Sequence, residues 1–562
     1  MTSKRNDQTN AERPFERRPF SRRAAVRGGL AAGAAAASGL LLPRQMFAQG
    51  ATPASTPGAS GVIKSTVEGV PDAFTSTPKP FKSVATVPGS GDKVSMLTIS
   101  YTPPPTEKSK NSYWQELEKR LGVEWDPMLV PVSSYGEKTA AVIASGDMPD
   151  LFYLLVTSSA PVIAQSISQG AFTDLTPYLS GDAIKDYPNL ALYPSYLWDN
   201  VRIQGKIYGV PKPVLRSNDT SFYRSDWLPK LGLSEPKTTD DVHDMLVAMS
   251  KKDPDGNGSP DTWGTTAYSG SWNMFVWNQM FGVPYGWRLN DDGTLTNQIE
   301  TDEFRQALEF TARLQADGAF HPDAASMEYS VAKDSFVSGK VGFYDDGFAA
   351  FFGKGSILEQ GQEFNSAATY APLVTASANG KPGVTYAGQG FFGSVGIPSS
   401  VTDEGRIKEL LRIMDYLCSP FGSEESTFLR YGLDEDHDVQ PDGSLSLNDK
   451  GAADISALVY PFLSENYFYY PGAAAGEAER AQKLNEQMAK VAITDPTAGL
   501  VSETAITSSG ELSQLGTDSI TSIVTGRDSI DALDSYIEQW KSRGGDQIRK
   551  EYEEAIKAKN GG

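Results

Sequence analysis

From Lys93 onward, short apolar runs alternate with stretches in which apolar residues recur every three or four positions. Residues 94–100 (VSMLTIS) predict a strand. Residues 112–121 predict a helix, with Trp114, Leu117 and Leu121 on one face and Gly122 as its stop. A strand around 128–132, a helix over 135–144 and a strand over 151–155 complete a β-α-β-α-β opening, the pattern of an α/β protein. Further helices are predicted over 240–250, 302–315, 403–418, 477–491, 529–541 and 546–557. In the 403–418 helix, Cys418 extends an apolar face made by Ile407, Leu410, Leu411, Met414 and Leu417, so a buried structural thiol is expected there. No repeat of 20–50 residues is present, which argues against solenoids and propellers.

The first fifty residues follow a different pattern. Residues 1–27 are polar and basic, and 28–42 (GGLAAGAAAASGLLL) form a weakly apolar run ending at Pro43. A membrane-spanning helix needs about 20 predominantly apolar residues, so this run predicts a signal-peptide core. Ser21 to Arg27 forms a twin-arginine pattern, with Ala25 where a phenylalanine is more usual. That favours the twin-arginine route; the alternative is an ordinary secretion signal with an incidental arginine pair. Cleavage is expected near residues 48–51, where no cysteine stands to carry a lipid. The expectation is a periplasmic or extracellular protein, exported and not lipidated, with no membrane anchor. Residues 51–90, rich in Ala, Thr, Ser, Pro and Gly, predict a flexible leader, with the folded part starting near Asp92.

At 562 residues the chain is long enough for two to four domains. It is 39% hydrophobic and 21% charged, which suffices for sizeable cores. The net charge is −20. Residues 1–50 hold nine basic and three acidic residues, leaving 41 basic against 67 acidic in the remainder, a balance of −26. Such a surface repels phosphate backbones and anionic lipid, so nucleic acid and membrane surfaces are excluded as expected partners. One cysteine and three histidines exclude an internal disulfide, thiolate zinc clusters and His-rich metal sites.

Residues 135–155 (YGEKTAAVIASGDMPDLFYLL) resemble the early helix-loop-strand signature of extracellular solute-binding proteins of ABC importers. Residues 170–179 (GAFTDLTPYL), 205–211 (GKIYGVP), 223–233 (YRSDWLPKLGL), 238–264, 338–343 (SGKVGF) and 536–545 (YIEQWKSRGG) are similar to further stretches of that family, in the same order. The resemblance covers residues 93 to about 558, and the branch is the large, oligosaccharide-handling one that includes alginate-binding proteins. It implies an α/β, two-lobed periplasmic-binding-protein-like fold (type II), with ligand held in a cleft between lobes joined by a hinge. The implied function is non-catalytic capture of a carbohydrate and its delivery to an ABC transporter permease, by a monomer. By the same analogy, residues 91–212 plus 396–470 form one lobe and 213–395 plus 471–562 the other. Crossings are expected near 211–213, 397–400 and 471.

Asp253, Asp255, Asn257, Ser259 and Asp261 stand at positions 1, 3, 5, 7 and 9 of an EF-hand-like loop, with Gly256 and Gly258 between them. Hard oxygen ligands at this spacing wrap one calcium ion, the carbonyl of Ser259 included. Position 12 is Gly264 and not the bidentate glutamate, and Pro260 discourages an immediate exit helix. The family resemblance implies a structural calcium; the alternative is an acidic turn without an ion. Gly388, Gly390 and Gly393 make a formal GxGxxG around Gln389, Phe391 and Phe392. The continuation predicts a strand stopped by Pro398, whereas a dinucleotide site needs a following helix. These glycines either let backbone approach a ligand while Phe391 or Phe392 offers a flat face, or form a turn with core phenylalanines.

Sugars present flat C–H faces that stack on aromatic rings. Trp272, Trp277 and Trp287 cluster within residues 269–287, and Trp272 is the first-choice platform, with Trp277 second. Core packing is the alternative for each. Tyr101 follows the first strand, where parallel sheets present ligand contacts. Tyr344 and Asp346 follow the strand-like residues 340–343 and are candidates for stacking and for accepting a hydroxyl. GxSxG, HExxH and GxxxxGK[ST] are absent. A glycosidase needs only two carboxylates about 5–10 Å apart, so a secreted glycoside hydrolase is the rival reading.

Overall fold

The computed structural model describes residues 61–155, 160–268, 270–374, 376–441, 443–464, 467–470 and 472–561. The predicted signal segment 1–50 and leader residues 51–60 lie outside the described residues.

Two larger sheets organise the chain. Their strands are β1 (Lys93–Ser100), β2 (Glu124–Pro131), β3 (Leu151–Leu154), β4 (Val210–Pro213), β5 (Asp219–Arg224), β6 (Trp263–Thr265), β7 (Val341–Gly347), β8 (Tyr370–Pro372) and β9 (Phe391–Gly396). The first sheet runs β2-β1-β3-β9-β4 and the second β6-β7-β5-β8. Strand β1 pairs in parallel with both β2 and β3. The connections run through helices α1 (Ser112–Leu121) and α2 (Tyr135–Ser145), as the opening pattern predicts. The Asn111 side chain caps α1 by accepting from Trp114 N at 2.8 Å, and Gly122 ends it at φ 67°. Strand β2 starts four residues earlier than the apolar run suggests. It lies at the sheet edge, where Pro127 and alternating exposed Glu124 and Asp126 are tolerated.

The predicted later helices occur at Thr239–Lys251, Asp302–Ala316, Glu404–Leu417, Glu477–Lys490, Ala532–Trp540 and Asp546–Gly561. Cys418 is buried at the end of its helix, and burial pushes its thiol up to about 12. Among the described residues no helix is long and apolar enough to cross a membrane.

Each sheet carries its own core. Leu97, Ile99, Phe152 and Val395 belong to the first. In the second sheet alternate residues feed opposite faces, Tyr223 and Phe343 one core, Phe222 and Tyr344 the other. The chain leaves the first sheet after β4 and returns before β9, through residues 214–218 and 387–390. These two crossovers bond to each other, Gly388 N to Arg216 O at 2.8 Å and Val214 N to Gly390 O at 2.9 Å. The return crossing therefore precedes the expected 397–400, because β9 is already paired with β3 and β4. Residue 471 lies outside the described residues.

Residues 61–90 correct the expectation of a flexible leader. Val70 and Ala73 are buried in the second-lobe core. Gln482 Nε2 donates to the carbonyls of Ile63 and Pro71 at 3.0 Å each. Farther along, Phe81 O accepts from Glu424 N at 2.9 Å, and Ser83 and Ser90 bond through backbone and side chain to Glu425 and Glu409. The segment thus straps both lobes. Its composition hides this because the partners of its backbone are supplied from more than 300 residues away.

Candidate functional site

At its carboxyl end β7 lies antiparallel to the start of β5, with Asp345 opposite Ser221 and Gly347 opposite Asp219. Asp219 is the first strand residue after the outgoing crossover, and Thr385 lies just before the return one. Both line one small pocket open to solvent, together with Ser221, Phe275, Gln279 and Asp345. The cavity therefore borders the paired crossovers, at the strand edge where α/β sheets present ligand contacts.

Its electrostatics are one-sided. Asp219 keeps an exposed face at the mouth and Asp345 is half-buried. Neither forms an ion pair with a described residue. Dense surroundings, then Asp346, push the Asp219 carboxyl up to about 6. Burial, then Asp219 and Asp346, push Asp345 up to about 7. Asp346 is better served, its Oδ2 accepting from Tyr329 Oη and its Oδ1 from Gly347 N, both at 2.7 Å. Aromatic rings stand alongside. Tyr285 stacks on Tyr386 at 4.5 Å and 4°, Phe275 meets Tyr386 edge-on at 5.1 Å, and Tyr268 meets Tyr329 at 5.4 Å. Half-buried Tyr268 and Tyr285 both feel the charge of Asp219.

The residues singled out from sequence are not brought together. Asp346 sits at this edge. Tyr101 is half-exposed at the carboxyl end of β1 in the first sheet, away from this cavity, its ring 5.2 Å from Tyr460. The Trp272 platform is corrected: its ring is buried and its indole donates to Thr521 Oγ1 at 3.1 Å. A left-handed turn at Trp272 and Asn273 (φ 50° and 53°) accompanies this inward packing. Trp277 is corrected likewise, being buried against Phe343 at 5.5 Å with its indole on Trp272 O. Tyr344 is buried on the opposite face of β7, stacked on Phe336. Gln389 belongs to the return crossover, and Phe391 and Phe392 open β9. Gln389 O accepts from Asn200 Nδ2 at 2.8 Å, and both half-buried phenylalanines pack on the first-lobe core.

Asp219, Asp345, Gln279, Tyr268 and Tyr285 are functional candidates that the sequence reading passed over. A usable signal existed for one of them: Asp345 directly follows an apolar strand, at its carboxyl end.

The 253–261 loop is a second acidic cluster. Asp253 accepts from the amides of Gly256, Asn257 and Gly258 at 2.9, 3.1 and 2.9 Å. These bonds, that of Gly258 first, hold its carboxyl below the usual range. Asn257 Nδ2 donates to Asp255 and Asp261 at 2.8 and 3.0 Å, and Lys340 pairs with Asp261. Burial and then Asp253 push Asp255 up. Among the described residues no group of three or more His, Cys, Asp or Glu is gathered as a metal site. The donor set nevertheless fits calcium: the loop wraps already, and Asn257 lies between two carboxylates, where rotating its amide presents oxygen.

Over residues 103–398 the chain matches the family of bacterial extracellular solute-binding proteins. It is similar to Lipoprotein LipO of Bacillus subtilis (strain 168), 28% identical over 480 residues, spanning 82% of this chain and 92% of the relative. The polygalacturonan/rhamnogalacturonan-binding protein YtcQ of the same organism is 25% identical over 479 residues, spanning 84% and 92%. Among solved structures, the Streptococcus pneumoniae ABC-transporter substrate binding protein FusA, an EF-hand mutant in complex with fructo-nystose, superposes with a TM-score of 0.60. It is 18% identical, and the match covers 84% of this chain and 99% of that one. The fold is thus the two-lobed α/β, type II periplasmic-binding arrangement. On the family match over more than half its length, this chain belongs to the bacterial extracellular solute-binding proteins.

Proposed function

We propose that this protein captures an oligosaccharide between its lobes and presents it to the permease of an ABC importer, without breaking it down. One observation carries the reading: an open cavity lined by two carboxylates and Phe275, with Tyr268 and Tyr285 near Asp219, sits at the strand edge beside two hydrogen-bonded crossovers. Carboxylates accept sugar hydroxyls and the rings stack on C–H faces. The names of YtcQ and FusA point to saccharides and, for FusA, to an ABC importer. Ligand contacts made by both lobes favour a closed state over an open one, and the crossovers at 214–218 and 387–390 are where the backbone turns. The first lobe comprises residues 91–213 plus 391 to about 470, and the second the remainder of the folded chain. The working unit is a monomer.

Asp253, Asp255, Asn257, Asp261 and the Ser259 carbonyl hold a structural calcium. The ion supplies positive charge between carboxylates that otherwise repel. Lys340 lends part of that charge to Asp261 already. Export runs through the twin-arginine segment. The described cysteine, Cys418, is buried.

The test is thermal unfolding of the exported chain against a panel of oligosaccharides, with calcium and with chelator, each mixture assayed for hydrolysis. A ligand at 100 times its Kd adds about 2.7 kcal/mol. A shift without products is the expected result. Cleavage products would instead make the raised Asp219 and Asp345 an acid–base pair and overturn the transport reading.

A further inference from the structure

The cavity at the β5/β7 edge holds two carboxylate acceptors and no cationic donor among the described residues. Asp219 and Asp345 face it without a cationic partner, and Asp346, one residue on, adds negative charge. A separate observation points the same way. Gln279, on the helix Met274–Phe281, is 9% exposed, lines the same cavity, and its side-chain amide makes no hydrogen bond with any described residue. With no partner in the described chain, that amide is available to pair with a ligand entering the cavity.

We propose, building on the oligosaccharide-capture reading, that this cavity takes a protonated amine of the ligand, making an amino sugar the class of saccharide held. An ammonium group has three N–H donors and no acceptor. Asp219, Asp345 and the Gln279 carbonyl are three acceptors on one cavity, and two of them give charge-assisted bonds. The ring of Phe275, which lines the cavity, attracts a cation. The net charge of −20 draws such a ligand in. A uronate brings a further negative charge to carboxylates that already repel one another, which separates this site from one suited to polygalacturonan. The titratable groups around the pair, Asp346, Tyr268, Tyr285 and Tyr329, are acids or neutral phenols, so none neutralises it.

The experiment is calorimetric titration of the exported chain with three probes: a glucosamine tetramer, its N-acetylated counterpart and a galacturonate tetramer. Acetylation removes the charge and leaves the sugar skeleton. The expected result is a glucosamine tetramer bound at least 10-fold more tightly than its acetylated form, with the galacturonate weakest. Asp345→Asn should remove most of that preference. Asp219→Asn, at an exposed position that folding tolerates, should reduce it independently. Equal or tighter binding of the acetylated tetramer overturns the amine inference and leaves oligosaccharide capture standing. Failure of all three probes overturns the amine inference too. In a fourth titration, with putrescine, binding as tight as that of the glucosamine tetramer supports the amine site while overturning the saccharide reading.

Discussion

Two acidic clusters lie in the second lobe, and they are compensated in opposite ways. In the 253–261 loop, Asp253 is surrounded by three backbone amides, Asn257 bridges two carboxylates, and Lys340 reaches Asp261. At the β5/β7 edge, Asp219 and Asp345 have no such partners and their carboxyls are pushed up. The difference teaches where to look for a ligand. The loop's carboxylates are already bonded within the chain and are suited to an ion that fixes the loop, whereas the pair at the β5/β7 edge, with no such partners, is the one to test for a soluble ligand.

The comparison can be broken most forcefully with metal. Calcium at 100 times its Kd should stabilise the chain by about 2.7 kcal/mol, and Asp255→Asn should abolish most of that gain while leaving oligosaccharide binding intact. A calcium effect that instead tracks Asp345 would reverse the two assignments. The same isosteric change should also act with opposite sign at the two clusters. Asp253→Asn weakens three charge-assisted bonds and should lower Tm by several degrees. Asp345→Asn relieves repulsion and should raise the stability of the ligand-free chain at pH 8, by on the order of 1 kcal/mol once the shift is discounted for its partly solvated setting.

A third carboxylate sharpens the contrast. Glu551 accepts from Ser502 Oγ, from Thr504 Oγ1 at 2.7 Å and from Thr504 N at 3.1 Å, tying the C-terminal helix to the start of the Glu503–Val524 helix. Though burial opposes ionisation, the bonds from Ser502, Gln547 and Thr504 outweigh it and hold the carboxyl down to about 2. Glu551→Gln should cost roughly 1 kcal/mol, the scale of losing a helix cap, as read by denaturant unfolding.

The pH profiles are the smallest effects and the most diagnostic. The stability from Glu551 is present above its ordinary value near 4.5 and is lost as pH falls toward 2. Asp345 runs the other way. Its raised carboxyl binds more protons folded than unfolded, so stability falls as pH rises from about 4 through 7. Asp345→Asn should flatten that part of the profile, and Glu551→Gln the acid part.

Elements whose signal is local were legible in the sequence. The helix at Ser112–Leu121 declares its apolar stripe and its Gly122 stop, and Ser112, Leu121 and Gly122 fall where the spacing places them. The strap was not legible, since nothing within residues 61–90 reveals Gln482 or Glu425 as its partners. Neither was the 22-residue helix Glu503–Val524. Its many Ser, Thr and Gly residues have modest helix propensity, and its formation rests on packing of Leu512, Ile523 and Val524 against the second-lobe core. The tryptophans misled for a physical reason. A loop rich in Gly and Asn suggests exposure, yet Trp272 turns inward and bonds to Thr521 from that same helix. The glycine motif at 388–393 carries a positional meaning that no pattern states. Gly390, at φ 83°, would place a Cβ 2.8 Å from Tyr196, so only glycine suits the crossover there.

The central claim is that ligand is held by closure of two lobes about the paired crossovers. Small-angle X-ray scattering of the exported chain, with and without the oligosaccharide that most raises its Tm, tests this directly. The account predicts a smaller radius of gyration in the saturated sample. An unchanged radius at saturation would contradict capture by closure.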